Sequence, residues 1–261
     1  MKKRYFIELS FMGSSFHGWQ IQPNAITLQQ VIEEALSNLL REKISVTGAG
    51  RTDTGVHASY YVAHFDSANI SDTVWLLNKL NRYLHNDIKV YNIIETLSDA
   101  HARYDASSRT YKYLILRKKQ PFLNEHAHYL HSHLNLDALQ MATGMVADTR
   151  NFSSFAKLHS DNKTNICKIY RAEWKELNDF LIFIIEADRF LRNMVRALTG
   201  TLLDVGKEKI SLKDFNKIIE SHNNQKASAS APAKGLYLFD INYPEKFGLN
   251  NPVKDNFLPF L

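Results

Sequence analysis

Between Arg4 and Phe11 the chain reads RYFIELSF, with Tyr5, Ile7, Leu9 and Phe11 at every second position. That period predicts a half-buried strand. From Leu28 the spacing lengthens: Leu28, Val31, Ile32, Ala35, Leu36, Leu39 and Leu40 form one helical stripe, and Thr27 with Gln30 reads as a capping box at its start. Alternation returns in YYVAHFD, Tyr60 to Asp66, followed by a capped helix over about 71–84 and a strand over about 87–95. This half reads βαββαβ.

The second half opens on RTYKYLILR, Arg109 to Arg117, rich in the aromatic and branched residues that favour strands. A helix follows over LDALQMATGMVA, Leu136 to Ala147, then strands near 166–174 and 180–186. A helix is expected from Asp188 through about Asp204, a short one after Ser211, and a last strand over GLYLFDINY, Gly235 to Tyr243. The order repeats with one extra helix, although no sequence repeat is visible. The pattern predicts an α+β fold of two ferredoxin-like (βαββαβ) halves, residues 1–103 and 104–245, with mainly antiparallel sheets flanking a central cleft and a tail over 246–261. Such a cleft is a natural ligand site.

Composition narrows the picture. At 261 residues and 44% hydrophobic, the chain can bury a substantial core. Its net charge of +5 favours an anionic partner such as nucleic acid or a phosphate. The single cysteine, Cys167, excludes an internal disulfide and a Cys-rich zinc site, and fits a reducing compartment. No apolar run approaches a membrane span, and MKKRYFIELSF alternates too strictly for a signal peptide, so a cytoplasmic protein is expected, with no membrane. The tract HAHYLHSH, His126 to His133, matches no zinc spacing, so no metal is expected.

Chemistry concentrates in a few places. GAGRTDTGVHA, Gly48 to Ala58, is glycine-rich, but a strand rather than a helix follows it and no G-K-[ST] is present, which argues against nucleotide-binding loops. Either Gly48, Gly50 and Gly55 supply positive φ in a connection while Asp53 caps a turn, or the loop exposes a reactive carboxylate flanked by Arg51 and His57. In DRFLRNMVRALTGTLLDVG, Asp188 to Gly206, Leu191, Met194, Val195, Leu198 and Leu202 form a buried stripe, with Arg189, Arg192 and Arg196 on another face. That basic face is either solvated or holds a carboxylate or phosphate. Tyr111 is a half-buried sheet aromatic or a stacking platform for a base. Lys2, Lys3 and Arg4, and Arg117 to Lys119, are phosphate contacts or plain surface.

Taken together, these segments resemble the tRNA pseudouridine synthase A (TruA) family. GAGRTDTGVHA is similar to its signature loop. FMGSSFHGWQIQP (Phe11 to Pro23), AHARYDASSRTYKYLI (Ala100 to Ile115), FLRNMVRALTGTLLDVG (Phe190 to Gly206) and SAPAKGLYLFDINYP (Ser230 to Pro244) follow in the family's order. The resemblance implies a cofactor-free isomerase, homodimeric, that binds tRNA in the central cleft and converts uridines on the 3′ side of the anticodon stem-loop to pseudouridine. It makes Asp53 the catalytic carboxylate, acting at ribose C1′, at C6 of the base, or on the C2′ proton. Tyr111 is then the active-site tyrosine that packs on the target base, Arg196 the arginine paired with the aspartate, and Arg51 the side chain that enters the space left by a flipped base. His57 and Arg192 are expected to contact RNA. TRNFSSF (Thr149 to Phe155) departs from the family's usual His-Asp-Phe, and SAPA replaces TAPA. A tRNA-binding folding helper without turnover is the alternative.

Overall fold

The structure, a computed structural model, describes residues 1–157 and 163–254. The chain divides into two compact units, Met1–Ser107 with the described part of the chain from Leu238 onward, and Ser108–Tyr237.

In the first unit the order is β1 (Lys3–Phe11), α1 (Leu28–Leu40), β2 (Val46–Gly48), β3 (His57–Ser67), α2 (Thr73–Tyr83) and β4 (Ile88–Thr96). β1 is central, antiparallel to β3 on one side and β4 on the other, with Ile7 opposite Ala63 and Ile93. The short β2 pairs antiparallel with β3, Gly48 lying opposite Ala63. The helix starts are chemically determined. Thr27 accepts from the Gln30 N–H at 3.4 Å, and Asp72 accepts from the Val74 and Trp75 N–H groups at 2.8 and 3.1 Å. The threonine half of the expected capping box forms, while the Gln30 side chain extends along the helix, where its Nε2 donates to Glu34.

The second unit runs β5 (Ser108–Leu116), β6 (His128–Tyr129), α3 (Leu136–Asp148), β7 (Ile169–Leu177), β8 (Phe180–Ala187), α4 (Met194–Gly206) and α5 (Leu212–Ser221). β8 lies between β5 and β7, antiparallel to both, with Phe183 opposite Tyr113 and Trp174. The short β6 runs parallel to its neighbour, at Ile115 and Leu116 of β5. The protein is therefore α+β with mainly antiparallel pairing.

The helix expected from Asp188 begins instead at Met194. Asn193 has φ 65°, in the left-handed region, and a right-handed helix cannot run through it. Arg189 and Arg192 thus lie in the connection before α4, and only Arg196 is helical. Their spacing does not create a basic helical face. The apolar stripe is nevertheless buried: Leu191, Met194, Val195, Leu198 and Leu202 all lie inside, as do Ala197 and Leu203.

β9 (Leu236–Asn242) ends in the first unit, where Ser59 Oγ donates to the Leu238 and Phe239 carbonyls. The chain after it covers a face of β1 that alternation predicts to be polar. Phe6 meets the rings of Tyr243 and Phe247 at 5.9 and 5.5 Å, and Glu8, only 3% exposed, accepts from Tyr60 Oη at 2.5 Å. Burial raises the Glu8 pKa. Asn251 Nδ2 donates to the Phe239 carbonyl and Asp240 Oδ1, and Lys254 pairs with Asp240 at 3.0 Å, so the start of the tail packs on this unit. Residues 255–261 lie outside the described residues.

Several cations left open as phosphate contacts are engaged within the protein. Lys2 pairs with Glu42 at 2.7 Å, Lys3 with Glu95 at 2.9 Å, Arg4 with Asp66 at 2.7 Å and Lys118 with Asp179 at 2.8 Å. Among the described residues, no helix is long and apolar enough to cross a membrane.

His64 on β3 is buried, and its Nδ1 accepts the Ala102 N–H at 3.1 Å. Burial, reinforced by His101, pushes its pKa down to about 4. Between pH 6.5 and about 4 the unfolded chain binds a proton that the folded chain refuses, so stability falls as pH is lowered through that window. Urea titrations across it should show this slope. In His64→Asn, which keeps an acceptor for Ala102, the slope should be shallower by up to about 1.4 kcal/mol per pH unit.

Candidate active site

Asp53 stands in the connection between β2 and β3, outside the strand ladder. The connection begins on the Ala49 N–H, which donates to the Val62 carbonyl at 2.9 Å, and turns where the Val56 N–H donates to the Asp53 carbonyl at 3.1 Å. Its three glycines serve three purposes. Gly55 alone has positive φ, 76°. At Gly48 a side chain would collide with Tyr61 Oη and the Trp19 indole, two rings packed 4.2 Å apart. Around the missing Gly50 side chain there is open space. The expectation of positive φ at all three therefore holds only at Gly55. Tyr61 fixes Gly50 through both backbone groups, accepting from its N–H and donating to its carbonyl.

The loop is backed by the segment after β1. A Cβ on Gly13 would overlap the Val56 carbonyl oxygen, and one on Gly18, where φ is +83°, would overlap the Thr52 oxygen and lie 3.2 Å from the Asp53 carbonyl carbon. Backbone thus presses directly on backbone at both ends of the turn. The Trp19 N–H donates to the Thr52 carbonyl at 3.4 Å, and the Gly13 N–H to His57 Nδ1 at 3.0 Å. Gly13, Gly18 and Trp19 have no role that their own residue types and spacing announce. Their only signal is two glycines and a tryptophan in a stretch with neither helical nor strand period. Arg51 is exposed and Asp53 half-buried, whereas His57, expected at the RNA, is 0% exposed and faces Gly13.

In the second unit Tyr111 lies on β5 opposite Ile185, half-exposed, with its ring edge-on to Phe190 at 5.0 Å. Phe190 belongs to the connection before α4, which Asp188 anchors: its Oδ1 accepts from the Lys168 and Arg189 N–H groups, and its carbonyl from Arg109 Nη1 at 2.9 Å. The Lys157 N–H donates to the Arg192 carbonyl at 3.0 Å, and the Arg192 side chain is exposed.

Arg196, in the first turn of α4, is clamped by the SAPA segment. Its Nε donates to the Ala231 carbonyl at 2.9 Å, its own carbonyl accepts the Ala231 N–H at 3.0 Å, and Asn193 Nδ2 donates to Ser230 Oγ at 2.7 Å. An arginine at the positive end of a helix is electrostatically unfavourable in isolation. The combination suits a nearby anion, either carboxylate or phosphate. Arg51 and Asp53 thus share one loop of the first unit, with His57 just beyond it as the first residue of β3, and Tyr111, Arg192 and Arg196 lie on β5 and around the start of α4 in the second. Among the described residues, no group of three or more His, Cys, Asp or Glu side chains is arranged to hold a metal ion.

The family model described as tRNA pseudouridine synthase matches residues 9–105 and 149–244, segments that include Arg51, Asp53, His57, Arg192 and Arg196 but not Tyr111. The chain belongs to the tRNA pseudouridine synthase family. Within it, the chain is 49% identical to the tRNA pseudouridine synthase A of Parabacteroides distasonis, over 97% of this chain and 100% of that one. It is 50% identical to that of Azobacteroides pseudotrichonymphae, over 92% and 97% of the two chains, and 38% identical to that of Caldicellulosiruptor bescii, over 92% and 100%.

The backing contact makes a differential prediction. Gly18→Ala, strained in φ and overlapping Thr52, should cost about 1–3 kcal/mol in denaturant unfolding. Gly50→Ala, with room for its methyl group, should stay within about 0.5 kcal/mol of the parent.

Proposed function

We propose that this protein isomerises uridine to pseudouridine on the 3′ side of the tRNA anticodon stem-loop, as a cytoplasmic homodimer and without a cofactor. The observation that carries the proposal is the Asp53 loop itself, held by backbone contact at both ends of its turn in a member of this family. The C1′ to N1 bond breaks, the base turns while held, C1′ bonds to C5, the C5 proton leaves and N1 is protonated. Atoms balance without oxidation, hydrolysis or phosphate transfer.

Each residue has a task in this reaction. Asp53 stabilises or traps the electrophilic C1′, as the nucleophilic carboxylate of a retaining glycosidase does. Arg196, which the family resemblance pairs with the reacting carboxylate, offers a guanidinium held in place by the Ala231 carbonyl to an anion at the reaction centre. Tyr111 offers a ring face to the target base, and the edge-on Phe190 braces it. Flipping the nucleotide costs a few kcal/mol of unstacking, part of which is returned by stacking on Tyr111 and by Arg51 filling the space left behind. The exposure of Arg51 and Arg192 supports their roles at RNA, Arg192 as a phosphate contact. For a binder without turnover, the demanding support around Asp53 would have no purpose.

With tRNA tritiated at uridine C5, the parent protein should release tritium to water. Asp53→Asn should retain tRNA binding and lose about 10³-fold or more of the release rate. Substantial release by that variant removes Asp53 from the chemistry, and no release by the parent from tRNAs that bind favours the folding helper. Tyr111→Phe should keep the stacking surface, whereas Tyr111→Ala should lose about 1–3 kcal/mol of base binding in fluorescence titrations with anticodon-arm RNA.

A further inference from the structure

We propose that His57 is a positioning residue, whose Nδ1 lone pair sets the stance of the Asp53 loop by holding the Gly13 N–H. This rests on the reading of Asp53 as the reacting carboxylate, but its structural half stands apart from that reading. Gly13 is buried, so its N–H needs an acceptor inside the protein, because a buried donor left unpaired keeps the full cost of its lost hydration. His57 Nδ1, 3.0 Å away, is that acceptor, which places the proton of the neutral ring on Nε2.

The bond spans 44 residues of sequence and joins two differently anchored pieces of backbone. His57 opens β3, whose next residue, Ala58, is registered against Phe11 of β1. Gly13 starts the single 3₁₀ turn Gly13–Ser15, closed by the Phe16 N–H on the Gly13 carbonyl at 3.1 Å. Between them the Val56 carbonyl abuts Gly13 with no room for a methyl group. Because Val56 also closes the turn onto Asp53, a shift of Gly13 is passed to the carboxylate through backbone alone. A displacement of about 1 Å at a reacting group can cost about 10²-fold in rate. Complete burial leaves His57 no surface for RNA.

Three substitutions separate this role from general packing. His57→Asn places an acceptor oxygen one bond from Cγ, where Nδ1 stands. His57→Gln carries its polar atoms farther out, toward the Nε2 position, and His57→Ala has none. In the tritium-release assay His57→Ala and His57→Gln should lose about 10- to 100-fold in kcat with KM for tRNA within about 3-fold, and His57→Asn should return to within about 3-fold of the parent.

Amide hydrogen exchange over residues 13 and 52–56 should quicken in the Ala and Gln variants and recover in Asn. If His57→Ala does not fold, the Asn and Gln pair decides. An Asn variant no better than Gln, unchanged exchange in every variant, or a raised KM with parental kcat would each overturn the proposal. If the parent released no tritium, the isomerase reading would fall, while the exchange pattern would still judge the role of His57.

Discussion

Direct backbone contact between the segment after β1 and the turn that carries Asp53 is the constraint around which the first unit is arranged. Two glycines make it possible, Gly13 against Val56 and Gly18 against Thr52 and Asp53, because any side chain at either would force the turn away. The surrounding features fit this contact. Tyr61 and Trp19 fill the space that Gly48 leaves, and Tyr61 ties down Gly50 by both its backbone groups. The turn owes its form less to the flexibility of its glycines than to what is pressed against them.

The second unit reaches a similar end by different means. Arg196 is held by a chain segment lying along α4, where Gly200 lets the Ala229 carbonyl approach the helix and Thr201 Oγ1 accepts the Ser228 N–H at 3.1 Å. Asn193, in the left-handed conformation, turns the chain so that α4 starts just before this arginine. A buried helix with a cation at its positive end concentrates potential at one point, which is useful only where an anion is to be met. Serine at the head of the SAPA segment supplies the hydroxyl that accepts from Asn193.

Much of this could be read from the sequence where one physical cause dominated. Alternation located β1 and β3, a run of aromatic and branched residues located β5, a helical stripe located α1, and a carboxylate among glycines stood outside the ladder. The start of α4 was hidden because Leu191, Met194 and Val195 keep helical spacing and are buried on both sides of the break, so the period looks unbroken through Asn193. The reason for a glycine was hidden too: an open backbone angle at Gly55 and a space filled by distant aromatic rings at Gly48 look alike in one dimension. Burial of His57 and Phe6 depends on partners brought in by the fold, and no local pattern announces them.

The cover over β1 has a consequence for how the chain is made. Tyr243 and Phe247 close over Phe6, and Tyr243 donates its hydroxyl hydrogen to the Ala102 carbonyl, yet these residues leave the ribosome long after the strand they protect. During synthesis, β1 to β4 can assemble while Phe6 still faces water, and the whole second unit emerges before the cover arrives. The first unit to be synthesised is therefore the last to be sealed, and Phe6 is open to misassociation until Tyr243 and Phe247 emerge.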